Sequence, residues 1–135
     1  MLAPHILIEA ISKEKGTLTW LPNFAYNVLA DKVHDDWISD FTLNTLRMVI
    51  NCSEPIRHHS HEKFLLKYKK YGLKERSLST CYAMAETTFA VTQNPPNQPI
   101  KKVMVNRDKL ANGEIEFTND SSKARICVSS GKLID

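Results

Sequence analysis

Hydrophobic and polar positions alternate between two periods along the first ninety residues. Over residues 4–13, Ile6, Leu7, Ala10 and Ile11 recur at helical spacing, with Pro4 placed to open a helix and Gly16 to end it. TLTWL, at 17–21, is short, β-branched and apolar, which predicts a buried strand. Pro22-Asn23 then turns the chain into a helix carrying Phe24, Val28 and Leu29. The order repeats: Leu43 and Leu46 approach the strand RMVIN at 47–51, NCSEP makes a turn, and a helix runs over 56–71 until Gly72. A third strand, SLSTCY at 77–82, leads into the polar turn AMAETTF.

Strands that alternate with helices at this interval predict crossover units and parallel neighbours, here near 17–21, 47–51 and 78–82. In such sheets ligands bind beyond the carboxyl ends of the strands, where NCSEP and CYAMAE fall. After Gln93 the pattern changes. NPPNQP is an extended connector, and PIKKVMV, GEIEFTN and KARICVS alternate like strands of a small antiparallel sheet. The expected fold class is α/β: a partial three-layer parallel sheet with flanking helices, followed by short antiparallel strands. Residues 1–93 form the α/β segment, and 94–135 form a connector and the β-rich start of a further subdomain. The stop at SSGKLID, with no capping element, reads as a piece of something longer.

Composition narrows the setting. At 135 residues, 42% hydrophobic and 24% charged, the chain can bury one ordinary core. A net charge of +3 is too mild and scattered to argue for nucleic acid. No run approaches the roughly 20 apolar residues of a membrane span, and the first residues lack the features of a signal peptide. Cys52, Cys81 and Cys127, odd in number and set among apolar or small neighbours, predict reduced thiols in a cytoplasmic protein.

Several chemistries lose support on spacing. His58, His59 and His61 lie one to three residues apart rather than at the i, i+4 spacing that lets one helix present two imidazoles to zinc. Lys63, Lys67, Lys69 and Lys70 surround Phe64, Leu65 and Tyr68 as the solvated face of an amphipathic helix does. The sequence holds no GxxxxGK[ST], GxGxxG or GxSxG, and Cys81 has no neighbouring histidine to activate it. Taken alone, Glu86 in CYAMAETTF reads as an acid in the first turn of a helix.

Read together, WLPNFAYNVLADKV, LRMVINCSEPI, CYAMAETTFAVTQ, VNRDKLANGEIEF and ICVSSGKLI resemble, in order and spacing, an internal portion of the large N-terminal domain of the fatty acyl-AMP ligases. These belong to the adenylate-forming superfamily, with the acyl-CoA synthetases and the adenylation domains of peptide synthetases. CYAMAE is similar to the YGxTE motif. The resemblance implies that Tyr82 lies against adenine, that Cys81, Ala83, Met84 and Ala85 line the nucleotide, and that Glu86 helps hold Mg²⁺. Ala83 stands where the motif has glycine, and Ala85 where many members have threonine; the second change is shared by the YGMAE of fatty acyl-AMP ligases. NCSEP resembles the NGAEP turn, which gives Ser53, Glu54 and Pro55 to the wall of the adenine pocket, with Cys52 replacing glycine. PNFAY implies a structural helix with Asn23 and Phe24 near the acyl tunnel.

The activity so implied joins a fatty acid to ATP, with Mg²⁺, giving acyl-adenylate and pyrophosphate. The acyl acceptor is an acyl carrier protein or coenzyme A. The phosphate loop, the ribose-binding aspartate and the lysine of the family's machinery are not within these residues, so the expected chain is an inactive fragment, exposed on apolar surface and prone to self-association. An acyl-CoA synthetase or peptide-synthetase adenylation fragment is the nearest alternative. A non-catalytic nucleotide-binding or interaction module is the alternative of another class.

Overall fold

The computed structural model describes residues 3–134. Helix α1 (His5–Lys13) is followed by strand β1 (Leu18–Leu21), helix α2 (Asn23–Lys32), strand β2 (Met48–Asn51), helix α3 (His58–Tyr68) and strand β3 (Leu78–Ala83). The three strands lie side by side and parallel, with Trp20 opposite Ile50 and Ile50 opposite Ser79. This is the expected arrangement. Each helix carries an apolar stripe, and packing that stripe over the connecting pair of strands removes it from water.

Alternation along the strands sorts two faces. Leu21, Val49 and Leu78 point to the helices and join Ala25, Tyr26, Leu29, Phe64 and Tyr68 in the main core. Tyr26 and Tyr68 are fully buried because their hydroxyls find partners: Tyr26 donates to the Val49 carbonyl at 3.0 Å, and Tyr68 to the Leu29 carbonyl at 2.8 Å. Met48, Ile50, Cys52 and Cys81 form a smaller cluster on the opposite face. Among the described residues that face carries no helix, so two of the layers of a three-layer sandwich are present. β2, flanked by β1 and β3, is buried throughout, whereas the edge strand β1 leaves Leu18 and Trp20 each 45% exposed.

The α1 stripe differs from expectation by one step. Ile8 and Ile11 enter the core and Leu7 packs at its margin, while Ile6 and Ala10 face solvent. Leu7, Ile8 and Ile11 also satisfy the i, i+1, i+4 pattern, and only docking onto the sheet chooses between the two stripes. Helix α3 ends in a 3-10 turn (Lys69–Tyr71) and Gly72 at φ +90°, the left-handed stop expected there.

The rest of the chain adds three elements that the pattern did not predict, two strands and a short helix. Strand β4 (Ala90–Gln93) returns antiparallel beside β3, and β7 (Lys132–Leu133) pairs with β4, giving a five-stranded sheet in the order β1-β2-β3-β4-β7. β5 (Lys102–Asn106) and β6 (Ala124–Val128) form the expected antiparallel pair. GEIEFTN is not a strand: it contributes a single bridge, Phe117 to Val105. Between β5 and that bridge stands a short helix, α4 (Arg107–Ala111), whose N-cap Asn106 accepts from the backbone N–H groups of Asp108 and Lys109.

Candidate functional site

β2 ends at Asn51 beside Thr80 of β3, which runs on to Ala83; NCSEP begins at the end of β2, and CYAMAE covers the last residues of β3 and the turn after it. Pairing of Asn51 with Thr80 sets Cys52 next to Cys81 on the face away from the helices. Both thiols are buried and free. Burial, then the neighbouring Cys52 thiol, pushes the Cys81 thiol up to about 11, so it stays protonated and is no nucleophile at neutral pH.

Beyond Cys52 the chain turns through Ser53 at φ +72°, a left-handed conformation that costs a residue with a Cβ on the order of 1 kcal/mol. Cys52 and Ala83, which stand where the resembled motifs have glycine, do not require positive φ. The left-handed positions fall one residue on, at Ser53, and at Thr88 (φ +70°) in the second segment. A β-branched residue there is a marked departure. Each candidate segment thus holds one left-handed residue, and Lys15 (φ +52°) and Asn97 (φ +59°) adopt the same conformation in turns outside them.

The turn after β2 is tied to the start of α2. The Glu54 carboxylate accepts the Phe24 backbone N–H at 2.9 Å, meeting one of the orphan donors of that helix start. Asn23, nearly buried, accepts the Arg57 backbone N–H at 2.9 Å and donates to Ser60 Oγ at 3.1 Å. Its carboxamide is therefore engaged with the turn and with α3. Phe24 is half exposed beside it.

The second segment is a hairpin. β3 runs to Ala83, Met84 follows, and a 3-10 turn (Ala85–Thr87) leads to β4, with a register irregularity at Tyr82 and Ala83. Glu86 begins no helix; it lies exposed in the 3-10 turn. The Tyr82 ring is 51% exposed, with its hydroxyl 3.5 Å from Met84 Sδ. Phe89 packs edge-on against Trp20, ring centroids 5.9 Å apart, so the hairpin leans across the helix-free face toward β1 and covers the thiols. The result is an exposed aromatic ring and two exposed carboxylates, Glu54 bound to the Phe24 N–H and Glu86 in the hairpin turn, at the carboxyl ends of two parallel strands.

Other clusters resolve into packing. His61 is buried, His59 is exposed, and His58 pairs with Glu62 at 3.1 Å; no group of three metal-ligating side chains occurs among the described residues. Lys63 pairs with Asp31, and Lys67 and Lys70 with Asp35, fastening α3 to the end of α2 and the turn beyond it. A groove of about 560 Å³ lies between α3 and the β5–β6 pair, floored by Leu65, Leu78, Ile100 and Val128, away from both candidate turns. Sequence reasoning did not find the buried polar group of Asn23, Asn51, Ser60 and His61. The only local signal was His61 standing in register with Phe64 and Tyr68 on the buried stripe of α3.

No helix of the described residues is long and apolar enough to cross a membrane. No family model matches the chain. It is 32% identical over 120 residues to the long-chain-fatty-acid–AMP ligase FadD32 of Mycobacterium marinum, covering 87% of this chain and 19% of that protein. Against the medium-chain-fatty-acid–[acyl-carrier-protein] ligase TtuA of Teredinibacter turnerae it is 26% identical over 126 residues, 92% of this chain and 20% of the other. The fold superposes on the crystal structure of a fatty acyl-adenylate ligase from L. pneumophila, in complex with acyl adenylate and pyrophosphate, with a TM-score of 0.92 and 26% identity, over 98% of this chain and 23% of that one. The chain thus spans about a fifth of the length of the curated relatives it matches. With that sequence identity and that backbone agreement along nearly all its described length, the chain belongs to the fatty acyl-AMP ligase family and corresponds to one segment of such a protein.

Proposed function

We propose that this chain supplies the adenine-side half of an acyl-adenylate site, in a ligase that activates a fatty acid with ATP. In that reaction a carboxylate oxygen attacks the α-phosphorus, the bond to the bridging oxygen of pyrophosphate breaks, and acyl-adenylate forms. The acyl group then passes to a carrier protein or coenzyme A, in the cytoplasm. The observation that carries this reading is the convergence of the two motif-like turns at the ends of neighbouring strands β2 and β3.

Each residue has a role that its setting supports. Tyr82 offers a half-exposed ring for stacking on adenine. Ser53, Glu54 and Pro55 wall the pocket, and Cys81, Ala83, Met84 and Ala85 let backbone approach the nucleotide. Glu86 is a hard oxygen donor in the open, and Mg²⁺ takes one or two carboxylates together with phosphate oxygens, so a single carboxylate fits that metal better than a closed protein cage. When bound, the ion would neutralise phosphate charge. Asn23 and Phe24 lie at the edge of this site, on the side proposed for the acyl chain.

An NMR titration of the 135-residue chain with Mg-ATP tests the reading. Weak binding is expected, with shifts confined to residues 51–55 and 81–88 and lost in Tyr82→Ala. Fatty-acid-dependent pyrophosphate release is not expected from these residues by themselves. Shifts spread elsewhere, or none at millimolar Mg-ATP, would overturn the assignment.

A further inference from the structure

A row of buried polar side chains runs beneath the turn that follows β2. Asn51, fully buried at the end of that strand, has its carboxamide nitrogen 3.1 Å from Asn23 Oδ1 and 2.9 Å from His61 Nε2. Asn23 Oδ1 is also 2.9 Å from the Arg57 backbone nitrogen, and Asn23 Nδ2 is 3.1 Å from Ser60 Oγ. Carboxamide orientation and imidazole tautomer are ordinarily ambiguous. Here one member is not, because a backbone N–H can only donate.

That donor sets every other bond. Arg57 N–H requires an oxygen at Asn23 Oδ1. An oxygen there requires a donor from Asn51, so its NH₂ faces Asn23, and the second proton of the same NH₂ points to His61 Nε2. Nε2 must then be an unprotonated acceptor, and the ring proton sits on Nδ1. Reversing Asn51 would set two carbonyl oxygens against each other. The arrangement instead leaves Asn51 Oδ1 buried without a partner among the described residues.

We infer that Asn51, Asn23 and His61 are positioning residues of the nucleotide-side turn, joined in a one-way hydrogen-bond chain that holds residues 52–57 against the starts of α2 and α3. This rests on the proposed nucleotide site. The chain acts on both ends of the turn, through Asn51 before it and Arg57 after it, while Glu54 pins its middle to Phe24. Ser53 keeps its left-handed conformation because its flanks are held. Around His61 stand the Tyr26 ring, at 4.9 Å between centroids, and His58 one helical turn earlier, itself beside Glu62 and Lys102. Burial, and then His58, lower the His61 pKa to about 4, in keeping with a neutral acceptor ring.

Long-range ¹H–¹⁵N correlation on the 135-residue chain at pH 7 reads the tautomer directly. His61 is expected neutral with its proton on Nδ1; a proton on Nε2, or titration near 6.5, refutes the chain whatever the variants do. His61→Leu is expected to shift the amides of residues 52–57 and weaken Mg-ATP binding several-fold, whereas His61→Gln, whose side-chain oxygen can accept from Asn51, restores both. Unchanged amides in His61→Leu would also overturn the inference. If the amides respond as expected but the wild type binds no Mg-ATP, the hydrogen-bond chain stands and the nucleotide reading falls.

Discussion

Acid should destabilise this fold through His61 before it reaches the carboxylates. In the folded chain the ring has a pKa of about 4, against an ordinary 6.5, chiefly because it is buried. Above pH 6.5 the ring is neutral in both states and contributes no pH dependence. Between 6.5 and 4 the unfolded chain takes up a proton that the folded chain refuses, so stability falls as pH falls. Below 4 both states are protonated and the dependence levels off. At about 1.4 kcal/mol per pH unit, the full drop is roughly 3 kcal/mol, a large share of the 5–15 kcal/mol that holds a typical domain. Protonation also turns Nε2 from acceptor to donor, opposite the NH₂ of Asn51, so the hydrogen bond opposes the charged ring in the same direction as burial does. Urea unfolding followed by circular dichroism at pH 7, 6, 5 and 4.5 measures this. His61→Gln should begin somewhat less stable at pH 7 and lose much less on acidification. Equal slopes for the two proteins would refute the assignment of the acid response to His61. Asp35 acts in a separate window: hydrogen bonds from Lys67, Lys70 and Tyr71 hold its carboxyl well below the usual range, so its pairing persists until pH falls further.

Gly131→Ala should free β7 from the sheet, because a Cβ at Gly131 would lie 2.0 Å from the Gln93 carbonyl carbon at φ +100°; loss of about 2 kcal/mol or more and of amide protection over 132–133 is expected, and an unchanged melting curve would count against the β4–β7 pairing. Of the three thiols, Cys127, half-buried on β6, should react first with a disulfide reagent at pH 8, while Cys52 and Cys81 react only on unfolding; rapid modification of all three would show that the Phe89 hairpin does not cover them. Concentration-dependent association is expected through the open edge of β1, where Leu18 and Trp20 are exposed, and light scattering should show it reduced in Trp20→Lys; a clean monomer at high concentration would contradict this.

The three parallel strands, the helices between them and the Gly72 stop were legible in residue order, because each depends on periodicity and turn chemistry within a few neighbours. The docked face of α1 was not. Ile6 and Ile8 are equally apolar, and the sheet alone decides which is buried. β4 and β7 escaped for a related reason: a two-residue strand such as Lys132–Leu133 has no pattern of its own and exists through bonds to Thr92 and Gln93, some 40 residues earlier. GEIEFTN shows the converse, alternation without a partner strand along its length.

The candidate site divides in the same way. NCSEP and the second half of CYAMAE could be placed beyond strand ends from the sequence, since a turn following a strand is a local matter, although β3 itself runs on to Ala83. That they meet on adjacent strands, and that the left-handed strain sits at Ser53 and Thr88 rather than at Cys52 and Ala83, was decided by the fold. Asn51 reads locally as the polar end of a strand, and His61 as one of three histidines on a helix. Burying either alone would cost more than a hydrogen bond returns. Only when folding brings Asn51 within 3.1 Å of both Asn23 and His61 does burial become tolerable. Hydrophobic pattern is written residue by residue, but the satisfaction of a buried polar group belongs to partners that the chain must first fold to bring together.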